Sequence, residues 1–257
     1  YDNSLGTVYD ATEQLEQEQS VEIFFCALNM IQKLMDCPDV AIYRVNKEKY
    51  ARLFAYSSAK AASMGSTVYL PDKKPLDEAC NENRVYINRS MEKEYPMMAY
   101  NVESEEQMEI LIMLWSIPFE RMTINEANRL IVIGKLIQTS VRRADRYLEA
   151  LSEERYHSES QILKASAFEE LVGAYRKASK EKLTEYVLLQ IEVEGKNEKE
   201  TVDKCTLLLR ESDYIGNLSD GKLYLLLTNT DLKGCSFVQN KLKQNGVASS
   251  ISEEGGL

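Results

Sequence analysis

The sequence predicts an α/β (α+β) chain of two domains, each a central, mainly antiparallel sheet flanked by helices, joined by a long helix. Three observations carry that expectation. The chain has 257 residues, 44% of them hydrophobic, enough for two ordinary cores, since a single domain commonly runs to about 100–200 residues. Segments with the helical period alternate with short β-favouring runs. The pattern also passes through a long amphipathic stretch and restarts after Ser166. The expected boundaries are 1–150 for a first domain with an N-terminal helix, 151–165 for a connecting helix and 166–257 for a second domain.

In residues 8–35, Leu15, Val21, Phe24, Leu28, Ile31 and Leu34 recur mostly at intervals of three or four, which gives a helix one buried face. Asp36, Cys37 and Pro38 end it. β-favouring segments follow at 40–45, 51–56, 66–70 and 84–87, separated by polar or Gly and Pro punctuation, with a short helix at 75–80. Tyr43, Tyr56, Tyr69, Tyr86 and Trp115 in and near these runs read as core or sheet-packing aromatics. Met91, Met97 and Met98 around Pro96 read as gap-fillers, or as a flexible contact surface. Residues 108–117 are apolar enough for a central strand, and Pro118 closes it because proline cannot supply a ladder donor.

Thr123 and Glu126 form a capping box, in which hydroxyl and carboxylate satisfy exposed first-turn amides, so a long helix begins near Ile124. Along it Ile137, Val141, Ala144, Leu148 and Leu151 are spaced four, three, four and three, and the phase continues through Ile162 and Ala165. That seam either faces a partner helix, making a homodimer through the 124–165 helix, or packs on the chain's own sheet. Arg155 and Ser158 at seam positions weaken the coiled coil further along. A helix then follows at 167–180, a strand at 185–193, a charged break at 194–200, a helix to 209, a strand pair around 213–227 and a last helix at 233–244 ended by Gly246. Asp220 and Gly221 favour the left-handed conformations of a tight two-residue hairpin.

Thirty-one Lys and Arg against 41 Asp and Glu leave a formal charge of −10, which argues against a nucleic-acid-binding surface and means that an anionic ligand must be held by a few well-placed cations. Cys26, Cys37, Cys80, Cys205 and Cys235 are irregularly spaced and odd in number, which suits reduced thiols and a cytoplasmic location. The single histidine, His157, reads as a surface residue, and no cluster has zinc-ligand spacing. No run reaches the 18 or so apolar residues of a membrane span. The chain opens on Tyr1, so a membrane anchor upstream remains open.

The first half, helix then short strands closed by Ile117, Pro118 and Phe119 before a capped helix, is similar to GAF domains. The stretch 209–223 resembles the surroundings of the signature hairpin of GGDEF domains. Arg210 and Asp213 form an R-x-x-D tetrad, and five residues separate it from Ser219, Asp220, Gly221, Lys222 and Leu223 at the signature place. The departures matter: Gly221 stands where the family has an acidic metal ligand, and Gln190 and Glu192 stand on the strand that carries an aspartate pair. The resemblance therefore implies a GGDEF domain that is not an enzyme, has no catalytic or metal-binding residues and takes no cofactor, because phosphoryl transfer from GTP needs divalent metal on the phosphates.

A GAF domain followed by a decayed GGDEF domain resembles the PelD family of membrane-anchored cyclic di-GMP receptors that switch on polysaccharide export. That resemblance implies a cyclic di-GMP site at Arg210 and Asp213, with Glu211 and Ser212 between them. Lys241 and Lys243 stand in the helix where such families use a further arginine. It also implies membrane-associated polysaccharide synthase components as partners and a chain that is the cytoplasmic part of an inner-membrane-anchored protein. The chemistry is direct: a guanidinium offers a planar fork of donors to guanine or phosphate, and a carboxylate accepts from the guanine N1 and N2 donors. Two alternatives stay open: Arg210 and Asp213 as a surface ion pair, and a GAF small-molecule sensor whose second half is a dimerisation or docking module without nucleotide.

Overall fold

The computed structural model describes residue 15 and residues 20–104, 109–193 and 198–252, and the chain divides into two compact units, Tyr1–Tyr147 and Leu148–Leu257. Among the described residues no helix is long and apolar enough to cross a membrane.

The first unit holds α1 (Ser20–Met35), β1 (Val40–Val45), β2 (Tyr50–Tyr56), β3 (Thr67–Tyr69), α2 (Lys74–Asn81), β4 (Tyr86–Ile87), β5 (Met98–Val102), β6 (Glu109–Leu114) and most of α3 (Ile124–Ala150). Its strands form one antiparallel sheet in the order β3-β2-β1-β6-β5-β4. Tyr43, Leu53, Leu111, Met113 and Trp115 pack on one face with Leu76, Ala79 and Cys80 of α2. α1 lies against β1 and β2, with the Phe24 and Phe54 rings in tilted contact, centroids 4.6 Å apart. Because both faces are covered, β1 (apart from Arg44) and β6 (after Glu109) read in sequence as near-continuous apolar runs rather than as alternation.

Several expectations hold here. Tyr43, Tyr86 and Trp115 are core residues, whereas Tyr69 is exposed and its ring meets that of Tyr50 at a tilt, centroids 4.9 Å apart. Met98 fills the core while Met91 is exposed. β5 had no sequence signal of its own, because Tyr100 and Asn101 interrupt its apolar run; it exists because β4 and β6 both pair with it. Half of the capping box forms: the Glu126 amide donates to Thr123 Oγ1 at 3.3 Å, but the Glu126 carboxylate turns to Arg121 and Arg129.

The long helix is a correction. α3 stops at Ala150, and residues 151–165 are not a connecting helix: α4 (Ser152–Arg155) is a single turn, and the chain then bends, with positive φ at Glu159. Ile137, Val141 and Ala144 are buried within the chain. Beside them Gly134 is pressed on β5, where a Cβ would come within 2.7 Å of Val102 Cγ2. The first half of the seam therefore packs on its own sheet, and Ile162 joins the core of the second unit.

Asp39 ties the strand ends of the first unit. Its carboxylate accepts from the Ser58 hydroxyl at 2.6 Å and from the Ser116 hydroxyl, and Lys60 Nζ lies 3.8 Å away. Burial pushes this carboxyl up, but the Ser116 and Ser58 hydroxyls and the Lys60 ammonium outweigh it and hold it below the ordinary value. A depressed carboxylate stabilises the fold above its unfolded value and loses that contribution as pH falls through the lower folded value. Asp39→Asn is expected to cost about 1 kcal/mol at pH 7, with the gap to the unmutated protein closing below about pH 4, as followed by urea unfolding across pH.

The second unit contains α5 (Ala165–Lys180), β7 (Tyr186–Ile191), α6 (Glu198–Leu208), β8 (Tyr214–Asn217), β9 (Leu223–Thr228), α7 (Leu232–Gln244) and β10 (Ser249–Ile251). The sheet is antiparallel, β10-β7-β9-β8, so the chain from β7 on is a βαββαβ unit of the split βαβ kind. Val202 and Cys205 of α6 and Cys235 and Leu242 of α7 cover one face with Val187, Leu189, Leu225 and Leu227. α5 packs against β7 and β8. The Asp231 carboxylate caps α7 by accepting from the Gly234 amide at 2.7 Å. Gly246 at φ 75° ends it, with Val247 N–H returning to the Leu242 carbonyl at 2.9 Å, the Schellman closure that the glycine announced.

The described cysteines are free thiols, and burial pushes those of Cys80 and Cys205 up to about 12 and about 11, so they act as packing groups. Gly216 is required by close approach: a Cβ there would meet the Phe168 ring at 2.4 Å. Gly216→Ala is expected to destabilise by about 1–3 kcal/mol through overpacking, read by calorimetric or denaturant unfolding.

Candidate ligand-binding site

The R-x-x-D segment is a β-turn that follows α6 rather than part of the helix. The Asp213 amide donates to the Arg210 carbonyl at 3.0 Å, and the Arg210 amide donates back to Asp213 Oδ2 at 3.1 Å, so the turn is closed twice. Asp213 Oδ1 accepts from the Thr228 amide at 3.0 Å, at the far end of the hairpin, and the Thr228 hydroxyl donates to the Ser212 carbonyl at 3.0 Å. Burial pushes the Asp213 carboxyl up from its ordinary value, against the hydrogen bonds from the Thr228 and Arg210 amides and the Arg210 charge, which pull it down.

Arg210, Glu211 and Asp213 line one cavity of about 570 Å³, together with Tyr156, Gln161 and Thr206 among others. Arg210 and Glu211 are exposed, and among the described residues the Arg210 guanidinium makes no hydrogen bond or ion pair. Ser212 contributes its carbonyl to the turn and does not line the cavity. Lys241 and Lys243 are exposed in the last turn of α7, outside that cavity, and the Lys241 ammonium sits over the Phe237 ring at 4.5 Å.

Tyr156, Ser160 and Gln161 could not be found from sequence, because they belong to the stretch expected to be helical. The tertiary structure brings them in by backbone pairing. Leu163 N–H donates to the Ile215 carbonyl at 2.9 Å and Asn217 N–H to the Leu163 carbonyl at 3.0 Å, a parallel bridge on the free edge of β8. His157 is exposed as expected, but its Nε2 lies 2.9 Å from Asn217 Oδ1, which fastens the same segment. A neighbouring cavity of about 560 Å³, lined by His157, Lys199, Asp203 and Asn217, shares Ser160, Gln161 and Thr206 with the first.

The hairpin differs from the expected two-residue turn. Leu218 N–H pairs with the Lys222 carbonyl at 3.3 Å and Gly221 N–H with the Leu218 carbonyl at 2.9 Å, so the loop is Ser219, Asp220 and Gly221, with Gly221 at φ 76°. This is the three-residue connection whose last position needs a left-handed residue. Its polar groups serve each other: Glu169 accepts from the Ser219 amide at 2.8 Å, Asp220 accepts from the Tyr224 hydroxyl at 2.8 Å, and Lys222 Nζ lies 3.3 Å from Gln190 Oε1. The Ser219 hydrogen bond holds Glu169 below the ordinary carboxylate value. The place between β7 and the hairpin thus carries an amide and an ammonium.

No family model and no curated protein matches the chain by sequence. Among solved structures it is similar to PelD 158-CT from Pseudomonas aeruginosa PAO1, at 12% identity and a TM-score of 0.42 over 96% of this chain and 89% of that one. PelD 156-455 from Pseudomonas aeruginosa PA14 in complex with c-di-GMP is similar at 13% identity and a TM-score of 0.37, covering 88% and 79%. The bacteriophytochrome RpBphP3 from R. palustris is similar at 8% and 0.38, covering 88% and 62%. At these scores the likeness carries no weight for ligand or role.

Thr228 offers a direct check of that geometry. Thr228→Val keeps the shape but leaves the Ser212 carbonyl without its donor, and is expected to cost about 1–2 kcal/mol, measured by urea unfolding.

Proposed function

We infer that the second unit is a cyclic di-GMP receptor without cyclase chemistry. One observation carries this: the turn holds Arg210 on a cavity of about 570 Å³ that Glu211 and Asp213 also line, with its guanidinium in no hydrogen bond or ion pair among the described residues. In a chain of charge −10, an unpaired arginine on a cavity rim is the cation an anionic nucleotide needs, and its planar fork suits guanine acceptors or phosphate oxygens. The sequence supports the non-catalytic part, since Gln190 and Gly221 stand where the family resembled has acidic residues for divalent metal. Control of exopolysaccharide export, partner synthase components and attachment to an inner membrane extend the same proposal, and they rest on the resemblance of the sequence alone.

A second reading, in which the unit is a docking module without nucleotide, is favoured by the exposure of Leu207 on α6 and Phe237 on α7, 86% and 60%. Calorimetric titration with cyclic di-GMP separates the two. The receptor predicts saturable binding that weakens by about tenfold or more in Arg210→Ala, and no cyclic product from GTP and Mg²⁺. Absence of saturable binding by the unmutated chain selects the docking module instead.

A further inference from the structure

We propose that Arg44 and Arg52, with Thr67 beside them, form a binding site for an oxyanion on the α1 face of the first sheet. Arg44 of β1 stands directly opposite Arg52 of β2, and Arg52 directly opposite Thr67 of β3. Directly opposed side chains share one face of a sheet, with Cβ atoms about 4.5–5.5 Å apart, so two like charges there repel. Strand side chains alternate between faces. Tyr43, Val45, Ala51, Leu53 and Val68, the sequence neighbours of the three, belong to the core on the α2 side. The row therefore lies on the other face, where the Arg44 guanidinium sits over the Phe24 ring of α1 at 5.8 Å.

A chain with 41 acidic residues sets no carboxylate against this pair. Among the described residues neither guanidinium makes a hydrogen bond or ion pair, and the Thr67 hydroxyl makes no hydrogen bond. Both arginines are half-buried, and Arg44 Nε and Arg52 Nη1 are shut off from solvent without a partner. The other two nitrogens of each fork reach the surface. An oxyanion held between the two forks gives both of them acceptors and replaces their repulsion by attraction, which is the use to which planar guanidinium donors are suited. Tyr50 and Tyr69 come next along the same face by the strand alternation, and both are exposed, with ring centroids 4.9 Å apart. They give an apolar flank to any planar ring that the anion carries. The site uses no residue of the second unit, so it stands or falls apart from the receptor reading.

The test follows thermal unfolding of the full chain by calorimetry in chloride and, at equal ionic strength, with inorganic phosphate or AMP. Both anions are expected to raise the unfolding temperature of the unmutated chain saturably. Arg52→Met, which keeps an apolar stem and removes the charge, is expected to weaken the apparent affinity by about tenfold or more. Lys135→Gln, which removes an exposed charge from α3, is expected to change it by less than about twofold. In chloride alone Arg52→Met is expected to unfold about 2–4 °C higher, because the repulsion and the orphaned donor are gone. Any effect of the anions on the second unit is common to all three chains, so the difference between them reads this site. A larger rise with AMP than with phosphate identifies the ligand as a phosphate ester on a planar ring, and equal rises identify it as the free anion. No rise above chloride with either, or a rise that Arg52→Met keeps in full, overturns the assignment.

Discussion

The Asp213 carboxylate ties two points that are far apart along the chain, the turn after α6 and the end of β9, by accepting from the Arg210 and Thr228 amides. Everything in the candidate site hangs on that tie. With the turn closed on itself, Arg210 and Glu211 have fixed positions on the cavity, and with Thr228 held, the two strands of the hairpin cannot slide against the turn. The cost is a carboxylate kept out of water, visible as its raised pKa, which the backbone donors only partly offset. Such a group is placed for geometry at the expense of solvation.

The sheet extends that constraint to the other wall of the cavity. β8 is an edge strand, and an edge offers unpaired amides and carbonyls to any segment that can reach it. Leu163 takes that offer, bringing Tyr156 and Gln161 to face the turn, and His157 adds a side-chain contact to Asn217. On the opposite face Gly216 lets Phe168 of α5 press directly on β8. One four-residue strand therefore positions the turn before it, the hairpin after it and the segment beside it.

The hairpin shows the same chain from the side of charge. Asp220, Lys222, Gln190, Tyr224 and Glu169 satisfy one another or nearby amides, so the acidic residues there are already engaged. Arg210 is the contrast: its charge is close enough to lower the Asp213 carboxyl, but it is not locked in an ion pair among the described residues.

Local signals in the sequence were enough to determine most elements: the strands at 40–45 and 186–191 in apolar runs, α7 with its Gly246 end, and the α+β class with two units. These depend on neighbours within a few residues, which sequence contains. What only the tertiary structure decided depends on partners far along the chain. β5 forms between two strands although its own pattern is weak, and the heptad-like phase past Ala150 yields to pairing with β8. Arg210 and Asp213 were legible as a motif, but the direction of the Asp213 oxygens was not, because Thr228 lies fifteen residues away and meets the turn only once β8 and β9 have paired.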